Sequence, residues 1–422
     1  MIHYARDKDK CFYFANTYIF MSVRSRIMKI AIMGFGTVGS GTYEVLKSID
    51  DVEVVRILAR HGREGYDEIN PIITSDIADI TSNPDIDLVV ESIGGIEPAR
   101  EYVLACMKAG KHVVTPNKNL VSACYDELKK AAAENGVSLR FSAAAGGGIP
   151  WLYNLARTKR CDTISSIYGI VNGTCNYILH QMFDNNLSFA EVLAKAQKKG
   201  IAEADPSSDI EGTDTLRKTV ISANLAFDAD IKEEDVPCYG IDTIDVCDIE
   251  WFKAHGYTCR LIMNAKVISG ESGATDTIVA YVEPTMYPAN AIENNIKRAN
   301  NFIALIGRNI GVQCFYGQGA GQLVTGESVV QDILDIRDGI DTGVPYSGNR
   351  KHYVVDSDSE VHRYYIRHDK MCEHIEPMID SYEYKNGIYY CISKPITVTQ
   401  MHAMGQHRKE KGRTMFFAGI DE

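Results

Sequence analysis

The apolar run Lys29-Ile30-Ala31-Ile32-Met33 leads straight into Gly34-Phe35-Gly36-Thr37-Val38-Gly39, and a helical stretch follows through Leu46. Strand, G-x-G-x-x-G, then helix is the order that dinucleotide-binding units require. The glycines let the backbone approach a pyrophosphate, and the helix N-terminus stabilises its charge. A lone fingerprint is weak, but this one sits in the context that gives it meaning. The pattern then continues in kind. Strands are expected over 52–59, 88–91 and 111–115, with helices over 99–109 and 125–134. Strands alternating with helices predict an α/β fold with a doubly wound, Rossmann-type parallel sheet. The acid that would bind the ribose hydroxyls about 20 residues further on is missing. Arg60 stands there instead and suits a 2′-phosphate, so NADP is expected over NAD.

At 422 residues the chain is too long for one ordinary domain. Its 45% hydrophobic and 24% charged content place it with soluble globular proteins. A net charge of −12 argues against a nucleic-acid or anionic-membrane partner, which would need a basic face. Arg408, Lys409, Lys411 and Arg413 form one basic cluster, read as a solvated helix face. Eleven cysteines include no Cys-x-x-Cys pair, so they read as reduced thiols in a cytoplasmic protein. Cys175 among them is expected to be buried and inert. No apolar run reaches membrane-span length. Residues 1–27 read as an extension, with Met28 a natural start.

The pattern changes after Pro150. Strands over 166–171, 265–268 and 277–283, with helices over 177–183, 189–199 and 208–227, predict a second α/β domain with an open mixed sheet. The expected division is 28–150 for the dinucleotide-binding domain, completed by 319–340, and 151–318 for the substrate and dimerisation domain. The polar stretch 341–360 reads as a linker. Over 361–422 the order is β-α-β-β-α-β, that of a small ferredoxin-like module, with its first helix expected at 371–379.

The densest chemistry lies between Gly200 and Lys218. Asp209 and Glu211, beside Ser207-Ser208, read as carboxylates that shape the start of a helix. Glu203 is too far upstream for that role. Lys218 stands among the apolar positions Leu216, Val220 and Ile221, and Asp214 one turn earlier shares its face. A carboxylate pair and an ammonium in this arrangement could grip an amino-acid substrate and move a proton.

The segment Ala196-x3-Gly200-Ile201-Ala202-x2-Asp205-Pro206-x2-Asp209-Ile210-x-Gly212-x-Asp214-x3-Lys218 resembles the homoserine dehydrogenase motif at every fixed position. Glu91-Ser92-Ile93-Gly94-Gly95, Val114-Thr115-Pro116-Asn117-Lys118, Gly148-Ile149-Pro150, Asn172-Gly173-Thr174-Cys175-Asn176-Tyr177 and Gly319-Ala320-Gly321 agree with it. The likeness covers roughly residues 28–340. It implies NAD(P)-dependent interconversion of L-aspartate 4-semialdehyde and L-homoserine. It implies Lys118 and Lys218 as catalytic lysines and Glu203 and Asp214 as acids that bind substrate. Thr174 would lie with them, and Gly200 at the junction with the cofactor. Besides the fingerprint, cofactor contacts are implied at Ser92, Ile93, Gly94, Thr115, Asn117, Lys118, Gly319 and Thr325. A homodimer or higher homo-oligomer is expected. The alternative is a catalytically silent relative that senses a nucleotide or amino acid.

Two places depart from the family. Ser142 replaces a glutamate in the stretch that binds a monovalent cation such as sodium. That leaves only the carbonyls of Ala145, Gly147 and Ile149 as ligands. Val324 replaces a proline before Thr325. The C-terminal module takes the place of an ACT domain but lacks its first turn, so it is expected to be degenerate.

Overall fold

The computed structural model describes residues 27–60, 64–270, 275–340, 353–371, 373, 375–412 and 415–421. Residues 1–26 of the expected extension over 1–27, and 341–352 of the expected linker over 341–360, lie outside the described residues. The first domain is a six-stranded sheet, ordered β3-β2-β1-β4-β5-β6 and parallel throughout. Its strands are β1 (Met28–Met33), β2 (Val52–Leu58), β3 (Ile73–Thr74), β4 (Leu88–Glu91), β5 (His112–Val114) and β6 (Leu139–Arg140). The helices between them are α1 (Thr37–Leu46), α2 (Ala78–Thr81), α3 (Ala99–Lys108) and α4 (Lys118–Asn135). Side chains alternate across β1, and both faces are buried. Ile30 and Ile32 pack with Val329, Val330 and Ile333 on one face. Ala31 and Met33 pack with Val103, Met107 and Leu128 on the other. This two-sided burial is why the run reads as continuously apolar rather than alternating.

Chain order reverses between β1 and β4, which opens a crevice at their carboxyl ends. Gly34 turns the chain out of β1 at φ +91°, where a Cβ would sit 2.6 Å from the Ser92 carbonyl oxygen. Only glycine fits this turn.

The second domain contains α5 (Trp151–Thr158), β7 (Ile164–Ile170), α6 (Gly173–Asn185), α7 (Phe189–Lys198), α8 (Ser207–Ile210), α9 (Thr213–Phe227) and α10 (Val246–Ala254). The strands β8 (Tyr257–Ile268), β9 (Thr277–Pro288), β10 (Asn300–Gly307) and β11 (Gly311–Gln318) complete its sheet. Then α11 (Gln322–Arg337) returns to the first domain through Val329, Val330 and Ile333. Each fully buried aliphatic side chain there contributes about 1.5–3 kcal/mol.

The helix expected over 208–227 is two. Gly212, at φ +91°, breaks it, with the Cys238 sulfur 2.9 Å from where a Cβ would stand. Asp214 therefore opens a new helix rather than lying inside one. A kink at Cys124, at φ −123° and ψ 23°, divides α4, and the part after it starts at 125 as expected, while an earlier part starts at Lys118. Its cap is Asn117, whose side chain accepts from the Leu120 N–H, and Lys118 is its first residue.

In the C-terminal part lie β12 (Val354–Val355), β13 (Val361–His362), β14 (Tyr364–His368), β15 (Ile379–Lys385), β16 (Ile388–Ser393), β17 (Ile396–Thr397), α12 (Val398–Glu410) and β18 (Met415–Ile420). The order β18-β14-β16-β15 is the ferredoxin-like 4-1-3-2 arrangement. Three expectations are corrected here. Among the described residues of the helix expected over 371–379 there is only a 3-10 turn at Glu376–Met378, where Pro377 removes an N–H donor and Ile379 already opens β15. Within the stretch expected as a linker, β12 pairs with β9 and the turn Ser357–Ser359 follows. Nor is the basic cluster simply a solvated face. Arg408 is buried, and the Lys409 ammonium pairs with Asp242 at 2.6 Å. The module also joins the second domain directly. β18 runs parallel to β9, so the two sheets form one ten-stranded sheet.

Candidate active site

The carboxyl ends of β1 and β4 face the second domain across a cleft of about 700 Å³. Thr37 and Val38, in the first turn of α1, line it. No acid stands in that turn and no side chain caps it. A Cβ at Gly36 would meet nothing within 4 Å. An uncapped helix N-terminus beside open space fits a dinucleotide's pyrophosphate. Ser92, Gly94, Asn117 and Lys118 line the same wall, and Gly319 and Thr325 close it from α11 and the preceding turn.

Other residues expected at the cofactor lie outside the lining. Gly34 and Gly39 build the turn beneath it, and the Ser92 hydroxyl donates to the Gly34 carbonyl at 2.9 Å. Phe35 turns away and packs edge-on against Tyr43 and Tyr66, with ring centres 5.6 and 5.3 Å apart. Arg60 is exposed just after β2. Ile93 and Thr115 act through Glu91, a residue the sequence reading did not single out. The fully buried Glu91 carboxylate accepts from the Thr115 hydroxyl at 2.6 Å and the Ile93 N–H at 2.8 Å. It also accepts from the Asn117 amide at 3.3 Å. Burial pushes this carboxyl up, against those hydrogen bonds. Glu91 thus ties together two loops that overhang the cofactor side of the cleft.

On the opposite wall stand Thr174, Gly200, Glu203, Asp209, Asp214 and Lys218. Asp214 is the centre of this group. Its Oδ1 faces the Lys118 ammonium at 3.0 Å, and its Oδ2 faces Lys218 at 2.8 Å. Burial alone would raise its carboxyl, but the Lys218 and Lys118 charges overcome this and hold it well below the ordinary range. The Asp214 charge in turn raises Lys118 above the usual lysine value. Asp214 thus lies between the two ammoniums. Lys218 also donates to the Val171 carbonyl at 2.7 Å. Thr174 spends its hydroxyl on the Ile201 carbonyl at 3.1 Å. Gly200, at φ +69°, turns the chain out of α7 and into the loop that carries the exposed Glu203. Cys175 is buried, and burial raises its thiol well above the ordinary value. Its Sγ donates to the Asp209 carbonyl at 3.1 Å.

Asp209 is a second residue the sequence reading missed. It does stand in the first turn of α8, as expected of a helix-start acid, but it also lines the cleft and accepts from the Asn172 amide at 2.7 Å. Helix-start chemistry alone does not tell which way the carboxylate points.

Of the three carbonyls expected to ligate a cation in the 142–149 stretch, two already accept hydrogen bonds. The Ser142 N–H and hydroxyl both donate to Asp332, at 2.8 and 2.7 Å. Desolvation pushes this buried carboxyl up to about 6. Gly147 offers its carbonyl to the Ser328 hydroxyl at 2.6 Å, and Ile149 offers its own to the Trp151 N–H at 2.6 Å. Ala145 is buried beside them. The anionic cage the resemblance implied does not fit these residues. Among the described residues no group of three His, Cys, Asp or Glu side chains could hold a metal ion. Turnover should therefore be unchanged when sodium or potassium chloride replaces tetramethylammonium chloride at constant ionic strength. Steady-state rates in the three salts measure this, and a severalfold activation by either metal would contradict it.

Comparison with known proteins decides the family. Residues 34–142 match the homoserine dehydrogenase NAD-binding domain, and residues 150–334 match the homoserine dehydrogenase domain. Homoserine dehydrogenase from Bacillus subtilis is 35% identical over 330 residues, 76% of this chain and 75% of that protein. The chain belongs to the homoserine dehydrogenase family. The Corynebacterium glutamicum homoserine dehydrogenase is 38% identical over 315 residues, 72% of this chain and 71% of its own length. The crystal structure of a homoserine dehydrogenase from Thiobacillus denitrificans superposes with a TM-score of 0.79 at 28% identity. It covers 94% of this chain and 98% of its own. That coverage takes in the C-terminal part as well as the two larger domains. As a homoserine dehydrogenase, the chain is an NAD(P)-dependent oxidoreductase acting on a small-molecule substrate.

Proposed function

We propose that this homoserine dehydrogenase works through Lys218 as the proton-transfer group, with Lys118 and Asp214 fixing it in place. The Asp214 carboxylate held between two ammoniums carries this reading. The nicotinamide, when bound, supplies or accepts the hydride. An ammonium has three N–H donors. Two of those on Lys218 are spent on Val171 and Asp214, so one remains for the aldehyde oxygen. As charge grows on that oxygen, Lys218 stabilises it and then gives up a proton, and it takes one back in the reverse direction.

Glu203, Asp209 and Asp214 outnumber the two lysines by one charge. The cleft therefore favours a substrate bearing an α-ammonium group, received by Asp209 and Glu203. The first turn of α6 carries no acid, and with Gly173 and Thr174 in the cleft lining it suits the α-carboxylate.

NADP is preferred in this reading because Arg60 follows β2 where an acid would serve NAD. Exposed Ile310, Val312 and Tyr316 at the sheet's β11 edge support pairing into a homodimer. The nine described cysteines are free, which supports a cytoplasmic protein. Among the described residues no helix is long and apolar enough to cross a membrane.

The test is oxidation of NADPH and of NADH by the wild-type chain with L-aspartate 4-semialdehyde. Robust turnover with NADPH is expected, and its absence under varied salt would favour a silent, ligand-sensing relative. Arg60→Ala should raise KM for NADPH about tenfold and leave KM for NADH unchanged. Equal effects on both would remove Arg60 from cofactor selection.

A further inference from the structure

Asn172 stands at the turn from β7 into α6 and is 3% exposed. Its side-chain oxygen caps α6 by accepting from the Cys175 N–H at 2.8 Å. Its amide nitrogen carries two hydrogens, and each goes to a different carboxylate. One reaches Asp209 Oδ1 at 2.7 Å and the other Asp214 Oδ2 at 2.8 Å. We propose that Asn172 is a positioning residue that clamps Asp209 to the Asp214–Lys218 pair. It thereby fixes the distance between the group that receives the substrate's α-ammonium and the group that transfers the proton. The proposal rests on those two roles as assigned above.

The residue type suits this task. A lysine here would neutralise the carboxylates, and a further acid would repel them. An amide binds both and leaves both charged, through hydrogen bonds that the charges strengthen. Asp209 lies on α8, a helix of four residues, and Asp214 on α9, with the Gly212 turn between them. Among the described residues the Asp209 carboxylate has no other side-chain hydrogen bond, so its orientation relative to Asp214 depends on the clamp. The residue before Asn172 does the same for the lysine. The Val171 carbonyl accepts from Lys218 at 2.7 Å and from the Asn301 amide at 3.0 Å. One turn at the end of β7, a strand paired on both sides, thus sets all three charged groups.

Asn172→Ser tests this, because a serine can still cap α6 but cannot reach both acids. In the oxidation of L-homoserine, kcat/KM should fall roughly 10- to 100-fold, while the dissociation constant of NADPH stays unchanged. Asp209→Asn should show a loss of similar size. The double variant should be little worse than the worse single variant, because the clamp and its cargo act as one unit. Additive losses, or wild-type kinetics in Asn172→Ser, would overturn the clamp. If the serine variant fails to fold, Asn172→Asp keeps the cap and the shape but loses both donors. It must lose at least as much activity, and wild-type turnover in it would also sink the proposal. A wild-type chain that turns over neither substrate would instead defeat the functional reading beneath, and the clamp's role with it.

Discussion

Replacing Lys218 by alanine is expected to cut kcat by about 10³-fold or more and to leave NADPH binding within about twofold of wild type. Lys218 lies on α9, across the cleft from the fingerprint glycines, so its loss removes no group from the nucleotide wall. What goes is the one cation held by both Asp214 and the Val171 carbonyl with a donor to spare for the substrate oxygen. Fluorescence titration of NADPH with stopped-flow turnover on the same preparation measures both quantities. Retention of most activity would remove Lys218 from proton transfer. Lys218→Arg should not rescue, since a guanidinium does not release a proton near neutral pH.

The second large effect is expected at Asp214. Asp214→Ala leaves Lys118 and Lys218 facing each other with no anion between them. Turnover should fall at least 10²-fold, because both ammoniums lose their anchor. Stability should fall by about 3 kcal/mol, the scale for breaking one side of a buried ion pair. The pH dependence follows from the signs of the shifts. Asp214 is held below its ordinary value, so its contribution is present above the unfolded carboxyl value and is lost only as pH falls through the folded one. Lys118 is raised, so its share is present below the unfolded lysine value and is lost only as pH rises through the folded one. Between roughly pH 5 and pH 9 the penalty should therefore be flat. Thermal unfolding of wild type and variant across that range checks it, and a penalty that varied steeply near neutrality would contradict the assignment.

Local order made much of this protein legible. The run from Lys29 to Gly39 carries its own instructions, since an apolar strand, a turn only glycine can make and a helix start are all short-range features. The spacing of Asp214 and Lys218 is equally local, four residues on one helix face. Residues whose roles depend on distant partners stayed hidden. Asp209 is the helix-start acid it looks like, but its place in the cleft shows only once Asn172 arrives from the end of β7. Glu91 reads as the end of a strand until Thr115 and Asn117 arrive from the loop after β5. Arg408 and Lys409 look like a solvated face until α12 packs on the second domain.

Sequence by itself determined the parallel first sheet, the dinucleotide turn and the family to which the chain belongs. All of these rest on contiguous residues whose backbone preferences and periodicity need no outside partner. Tertiary structure alone decided which charges meet. It placed Lys118 of one domain 3.0 Å from Asp214 of the other and gave the two acids of separate helices one shared amide at Asn172. It also bound Ser142 to Asp332 in a stretch expected to hold a cation, and ran the C-terminal strands on from β9 as one sheet. The physical reason is the same in each case. Electrostatic and hydrogen-bond partners are chosen by distance in space, and groups as far apart in sequence as Ser142 and Asp332 become neighbours only once the sheets and helices have packed.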